Sequence, residues 1–182
     1  MRINLHVIVI GAGLTGSFFL KEMIAYLHMK QENLIRTDIT VFDPGSIGKE
    51  YLGAVYIRED LVQNRALLLS ELLKEQYDYE VTAVPGDFSV GSPVLQISKR
   101  DYVFMVDCSD GSIPGDYRTE WKKLSAKRKL YLKFADAKLY LDDGSGTEPF
   151  FSNTEEKSED FVWKHLERMF LVNLAMSNIV AV

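Results

Sequence analysis

Three glycines, Gly11, Gly13 and Gly16, stand between an apolar run, Leu5 to Ile10 with one histidine, and a helical stretch from Leu14 to about Met29. That spacing could hold a phosphate. Gly11 permits a tight turn, Gly13 lets backbone approach an anion, and Gly16 lets helix and strand pack closely, so the anion would meet the helix N-terminus. Thr15 lies in the same turn and counts with the glycines as a cofactor-binding residue. Asp43 directly follows the apolar segment Ile39 to Phe42, about where a ribose-binding acid sits in this fingerprint. Asp107-Cys108-Ser109-Asp110 follows the apolar run Tyr102 to Val106. In open parallel sheets ligands bind beyond the carboxyl ends of strands, so these three features are expected on one edge. The pattern names a binding mode, not a reaction, and a similar sheet with a vacant glycine turn would carry the same spacing.

Other reactive residue types are sparse. His6, His28 and His165 do not share a metal-ligand spacing such as two histidines four apart. Cys108 is the one cysteine, so neither a disulfide framework nor a four-cysteine zinc site can form within the chain. It is expected as a small apolar residue rather than a nucleophile, and the cysteine usage fits a reducing, cytoplasmic compartment. Asp107 and Asp110 also have a plain reading, because aspartates at strand ends hydrogen-bond local backbone.

The elements that must position these residues alternate between strand and helix. After Asp43 comes a turn-rich segment, 44–48, and then a helix expected to start near Asp60, with Asp60 as its cap and leucines at helical spacing from Leu61 to Leu73. Tyr79 to Val84 reads as a third parallel strand closed by Pro85-Gly86, and Val94 to Ile97 as a short strand or helical turn. Asp116 to Lys129 is expected as a helix with a basic end, followed by strands at Leu130 to Phe134 and Lys138 to Leu141. The stretch 144–159 reads as a mobile loop, and an amphipathic helix is expected from about Asp160. The fold class is therefore α/β: a Rossmann-like three-layer fold with a mainly parallel sheet, helices on both faces and a C-terminal helix.

At 182 residues the chain is expected as a single domain, 1–182, with enough length for a core of its own. Its 21 basic and 26 acidic residues give a net charge of -5, which argues against general nucleic-acid affinity. The cations from Lys122 to Lys129 read as the favourable end of a helix dipole instead. Neither end of the chain suggests export or a membrane span. Leu5 to Ile10 is too short for a secretory core, and Phe161 to Val182 is broken by Lys164, His165, Glu167, Arg168 and Asn173.

The order so assembled resembles the ThiF and MoeB family, relatives of ubiquitin-activating enzymes, and most of all the ThiF-type proteins of plasmid-associated PRTRC gene clusters. The segments that carry the likeness are Val7 to Ser17, Ile39 to Pro44, Asp60 to Ala66 and Val106 to Asp110, with Arg118 following. The resemblance implies ATP with magnesium as cofactors and adenylation of the C-terminal carboxylate of a small ubiquitin-like protein. It places the ribose-binding acid on Asp43, the metal-associated aspartate on Asp110, and a phosphate-binding lysine on Arg65. Asp110 and Arg65 would then be the catalytic residues, with Asp110 as the magnesium ligand. The family's zinc-binding cysteine pairs are absent, so no zinc site is expected. The family's asparagine, arginine and glutamine fall on Tyr51, Ala54 and Val55. Ala54 cannot supply the cation that would stabilise charge on the α-phosphate, so catalysis is expected to be weakened or lost unless another cation, Lys49 or Arg58 for example, replaces it.

Two other readings stay open on the residues. An NAD- or FAD-binding oxidoreductase would use the same glycine turn and acid, although no Tyr-Lys or Cys-His pair suggests its chemistry. A non-enzymatic dimeric scaffold would use the apolar C-terminal helix. Expected partners are the ubiquitin-like protein or another neighbouring-gene product, and a second copy of the chain. Neither a nucleic acid nor a membrane is expected.

Overall fold

Alternation along the central strands decides how the layers form. In the computed structural model, which describes residues 3–30, 35–49, 62–109, 116–135, 138–142 and 150–153, strand β1 spans Ile3–Ile10. Its Leu5, Val7 and Val9 enter one apolar core while Ile8 and Ile10 enter another, all of them buried. A strand buried on both faces needs cover on both. Helix α1 (Leu14–Lys30) covers the first face through Phe19, Leu20, Met23 and Ile24, joined by Ala66, Leu69 and Leu73 of α2 (Arg65–Tyr77). The second face is covered by Tyr117 and Trp121 of α3 (Tyr117–Lys123), together with Phe88 and Leu124.

Strand β2 (Ile35–Phe42) lies parallel to β1, and β3 (Thr82–Val84) lies parallel to β2. On the other side of β1 come β4 (Tyr102–Asp107) and β5 (Arg128–Ala135), also parallel. Two antiparallel strands, β6 (Lys138–Asp142) and β7 (Phe150–Asn153), complete the order β3-β2-β1-β4-β5-β6-β7. The expected α/β fold with a mainly parallel sheet is therefore present. The chain passes from β2 and β3 on one side of β1 to β4 and β5 on the other, which puts the topological switch point between β1 and β4.

Four expectations about elements need correction. Helix α2 starts at Arg65 with Asn64 as its cap, not near Asp60. The cause is local: Val62 stands at φ 64 with its N–H donating to the Ile47 carbonyl, and Gln63 accepts from the Ile47 N–H, which holds both outside the helix. Val94 to Ile97 forms neither a strand nor a helical turn. The stretch from Asp116 to Lys129 divides. Leu124 takes an extended conformation that ends α3, and Lys129, already on β5, donates its ammonium to the carbonyls of Lys122 and Leu124 at 2.6 and 3.1 Å. Within the stretch expected as a mobile loop, residues 150–153 pair with β6 as β7. The helix expected from Asp160 lies outside the described residues.

Candidate functional site

The glycine turn sits where β1 ends, pinned between its two neighbours. Gly11 takes φ +91, donates its N–H to the Phe42 carbonyl at 2.9 Å, and lies so near the Cys108 carbonyl that a Cβ would approach it to 3.1 Å. On the same edge the Cys108 N–H reaches the Ile10 carbonyl at 2.8 Å. A Cβ on Gly16 would lie 1.9 Å from the Gly11 carbonyl oxygen, so α1 can start this close to the strand only with glycine there. Gly13 accepts from the Ser17 N–H, and Gly13 and Thr15 are half-buried at the helix start. The first N–H groups of α1 therefore face the carboxyl edge of the sheet, where an anion would be favoured.

Asp43, at the end of β2, is fully buried. One carboxylate oxygen accepts the Ala12 N–H at 2.6 Å. The other accepts the Gly45 N–H at 2.7 Å and two bonds from the Arg65 guanidinium at 2.9 and 3.2 Å. Arg65 packs against Gly45, and its side chain is 16% exposed. Asn64 completes the fastening: its amide donates to the carbonyls of Asp43 and Gly45, while its oxygen caps Ala66 and Leu67. The two residues assigned by resemblance to ribose and phosphate thus hold each other.

Asp107 ends β4 in a parallel arrangement. It is fully buried, and one oxygen accepts the Ser109 N–H at 3.0 Å and the Ser109 hydroxyl at 2.5 Å. The other accepts the Tyr131 hydroxyl at 2.8 Å and faces the Lys133 ammonium at 3.1 Å. Burial and the Asp107 carboxylate beside it push the Tyr131 phenol far up. Tyr117 is pushed up to about 12, first by burial and then by the charges of Asp87, Asp107 and Asp43. Both buried aspartates of this edge are paired with a cation, Asp43 with Arg65 and Asp107 with Lys133.

Gly11, Gly13, Thr15, Gly16, Asp43 and Arg65 are therefore brought to one edge. Asp110 lies outside the described residues, as do Tyr51, Ala54, Val55 and Arg58. Lys49 is exposed. Arg118 pairs with the buried Asp142 at 2.6 Å and stacks on Tyr140. No group of three or more metal-ligating side chains occurs among the described residues. His6 lies toward the opposite end of the sheet, 3.2 Å from Asp101. The residues missed from sequence are Asn64, Tyr131 and Lys133. Asn64 directly before a leucine-rich helix is a capping signal, and Lys133 interrupts the apolar run from Leu130 to Phe134.

No protein-family model and no curated protein matches the chain. Solved structures do. E. coli MccB matches in its structure with ATP at 12% identity and a TM-score of 0.51, over 89% of this chain and 47% of that one. Its structures with succinimide, and with AMPCPP and MccA, match at 12% and 11% identity, each with a TM-score of 0.50 and 92% of this chain covered. What is shared is the fold. The chain spans about half the length of these MccB chains, 47% in each case.

Cradle and acid differ in how they fit a nucleotide. The glycine turn, half-buried at Gly13 and Thr15 and backed by the start of α1, suits a phosphate. The Asp43 carboxylate is buried in this arrangement and bonded to Ala12, Gly45 and Arg65.

Proposed function

We propose that this chain is a ThiF-like nucleotide-binding protein that holds ATP by its phosphates, with adenylation weakened or lost. The observation that carries the reading is the glycine turn itself: Gly11 at φ +91 against the end of β4, with α1 starting directly behind it. The MccB fold, recorded with ATP, supports it. When bound, ATP would supply the phosphorus that a substrate carboxylate attacks. Gly13, Thr15 and Gly16 would bind and orient its phosphates through backbone N–H groups, while Gly11, whose N–H goes to the Phe42 carbonyl, would shape the turn. Asp43 and Arg65 would keep the turn and the start of α2 in place. Magnesium, if used, would rest on Asp110.

The proposal includes the PRTRC-type membership, a single domain over 1–182, a cytoplasmic setting and a partner with a free C-terminal carboxylate, a small ubiquitin-like protein or another neighbouring-gene product. MccB recorded with MccA makes a counterpart of MccA a further candidate partner. Calorimetry with ATP and magnesium tests the reading, and Gly13→Val should abolish binding by filling the turn. Wild-type protein that ignores ATP yet binds NAD would sink it. Pyrophosphate exchange with candidate carboxylates then decides whether turnover survives.

The closed Asp43–Arg65 pair favours a second reading, a non-enzymatic scaffold with an empty turn that associates as a homodimer. In that case Gly13→Val changes stability alone, and neither wild type nor variant binds ATP.

A further inference from the structure

Two cations stand on described strand or helix ends beside the candidate site, and they differ in how far they are closed. Arg65 is gripped by Asp43 through two bonds and is 16% exposed. Lys133 meets Asp107 through one contact at 3.1 Å, and its side chain is 33% exposed. Asp107 does not depend on that lysine alone, because Ser109 N–H, Ser109 hydroxyl and Tyr131 hydroxyl already donate to it. Lys133 therefore retains N–H capacity beyond the one contact to Asp107 on a side chain that reaches solvent.

Position points the same way. Asp107 pairs in register with both Ile10 and Lys133, so Lys133 stands level with the residue before the glycine turn, two strands away. At about 4.8 Å per strand the separation is roughly 10 Å, within the span of a phosphate chain and a lysine stem. In folds with this strand order a nucleotide lies with its nucleoside over β2, its first phosphates at the glycine turn, and the remainder running past the β1–β4 crevice. Lys133 lies on that far side.

We propose that Lys133 is the cation that meets the outer phosphates of a nucleotide lying across the glycine turn. The assignment rests on the nucleotide reading above and adds a cation at the outer phosphates, apart from the α-phosphate cation that Ala54 lacks. Asp107, with Tyr131, positions the ammonium.

The test is calorimetry with AMP, ADP and ATP on wild type, Lys133→Met, Lys133→Arg and Tyr131→Phe, each checked for folding by circular dichroism. Lys133→Met should lose about tenfold or more in ATP affinity, the worth of one charge-assisted hydrogen bond, and keep its AMP affinity. Lys133→Arg should recover part of the loss. Tyr131→Phe, which loosens Asp107 but keeps the ammonium, should lose less than Lys133→Met. If wild type binds all three nucleotides and Lys133→Met weakens none, or all equally, the Lys133 assignment falls while the nucleotide reading stands. Wild type that binds none of the three removes both. Should Lys133→Met not fold, Lys133→Gln replaces it with the same expectation.

Discussion

Asp43 shows how a carboxylate placed by residue type meets partners that only the fold supplies. An acid at the end of the second strand of a glycine-turn fold is placed for ribose, yet here it accepts from Ala12, Gly45 and Arg65 and has no exposed surface. A buried ion pair of this kind is costly to break from one side. Asp43→Ala should therefore lower stability by about 3–5 kcal/mol, measured by denaturant unfolding. If Asp43 were free to serve ribose, the variant would lose nucleotide affinity and keep its stability. Asp107 repeats the arrangement on the other side of β1, binding the backbone two residues on, as Asp43 does. The residue types at both strand ends were legible in sequence. Their partners, Arg65 and Lys133, lie 22 and 26 positions further along, and only the folded chain brings them near.

At the scale of elements, the start of α2 matters most, because it carries Arg65 to Asp43 and fastens the 43–47 segment. Asn64 is the fastener: its amide holds two loop carbonyls while its oxygen satisfies two helix N–H groups. Asn64→Ala should cost roughly 1–2 kcal/mol of stability, toward the upper end for a cap because the loop bonds go too. Asn64→Asp, which keeps the cap acceptor and removes the amide donors, should recover only part of that loss. Thermal melts of the three proteins separate the two contributions. The helix itself was readable from its leucine spacing, but its first residue was not, since both Asp60 and Asn64 are good caps. The choice was made by Ile47, whose backbone holds Val62 and Gln63 in a bridge to the loop. Likewise α3 is shorter than its sequence suggests because Lys129 closes it from β5.

Across the whole molecule, the two ends of the sheet carry different titrating groups and should set the acid and alkaline limits of stability. Burial alone would raise Asp101, but the bonds from Ser98, Asn4 and His6 outweigh it and hold the carboxyl low. A depressed acid stabilises the fold above its unfolded value, about 4, and that contribution is lost as pH falls through the folded value. Asp101→Asn should be less stable near neutrality and less sensitive to acid between about pH 4 and pH 2. At the carboxyl end, Tyr117 is raised to about 12. Its contribution is full below about pH 10 and lost as pH climbs toward the folded value. Phenolate absorbance should show this tyrosine ionising late, with or after unfolding; early, reversible ionisation of all nine tyrosines would contradict it.

The sequence by itself determined the layers. Continuous apolar runs on β1 and β4 require cover on both faces, and the glycines at 11 and 16 are compelled by a turn and a close approach that need no distant partner to be recognised. Tertiary structure decided what the polar residues do. A carboxylate buried beside an arginine and one open to a ligand have the same letter and the same place at a strand end. What separates them is desolvation and the supply of donors, which depend on contacts between residues far apart along the chain.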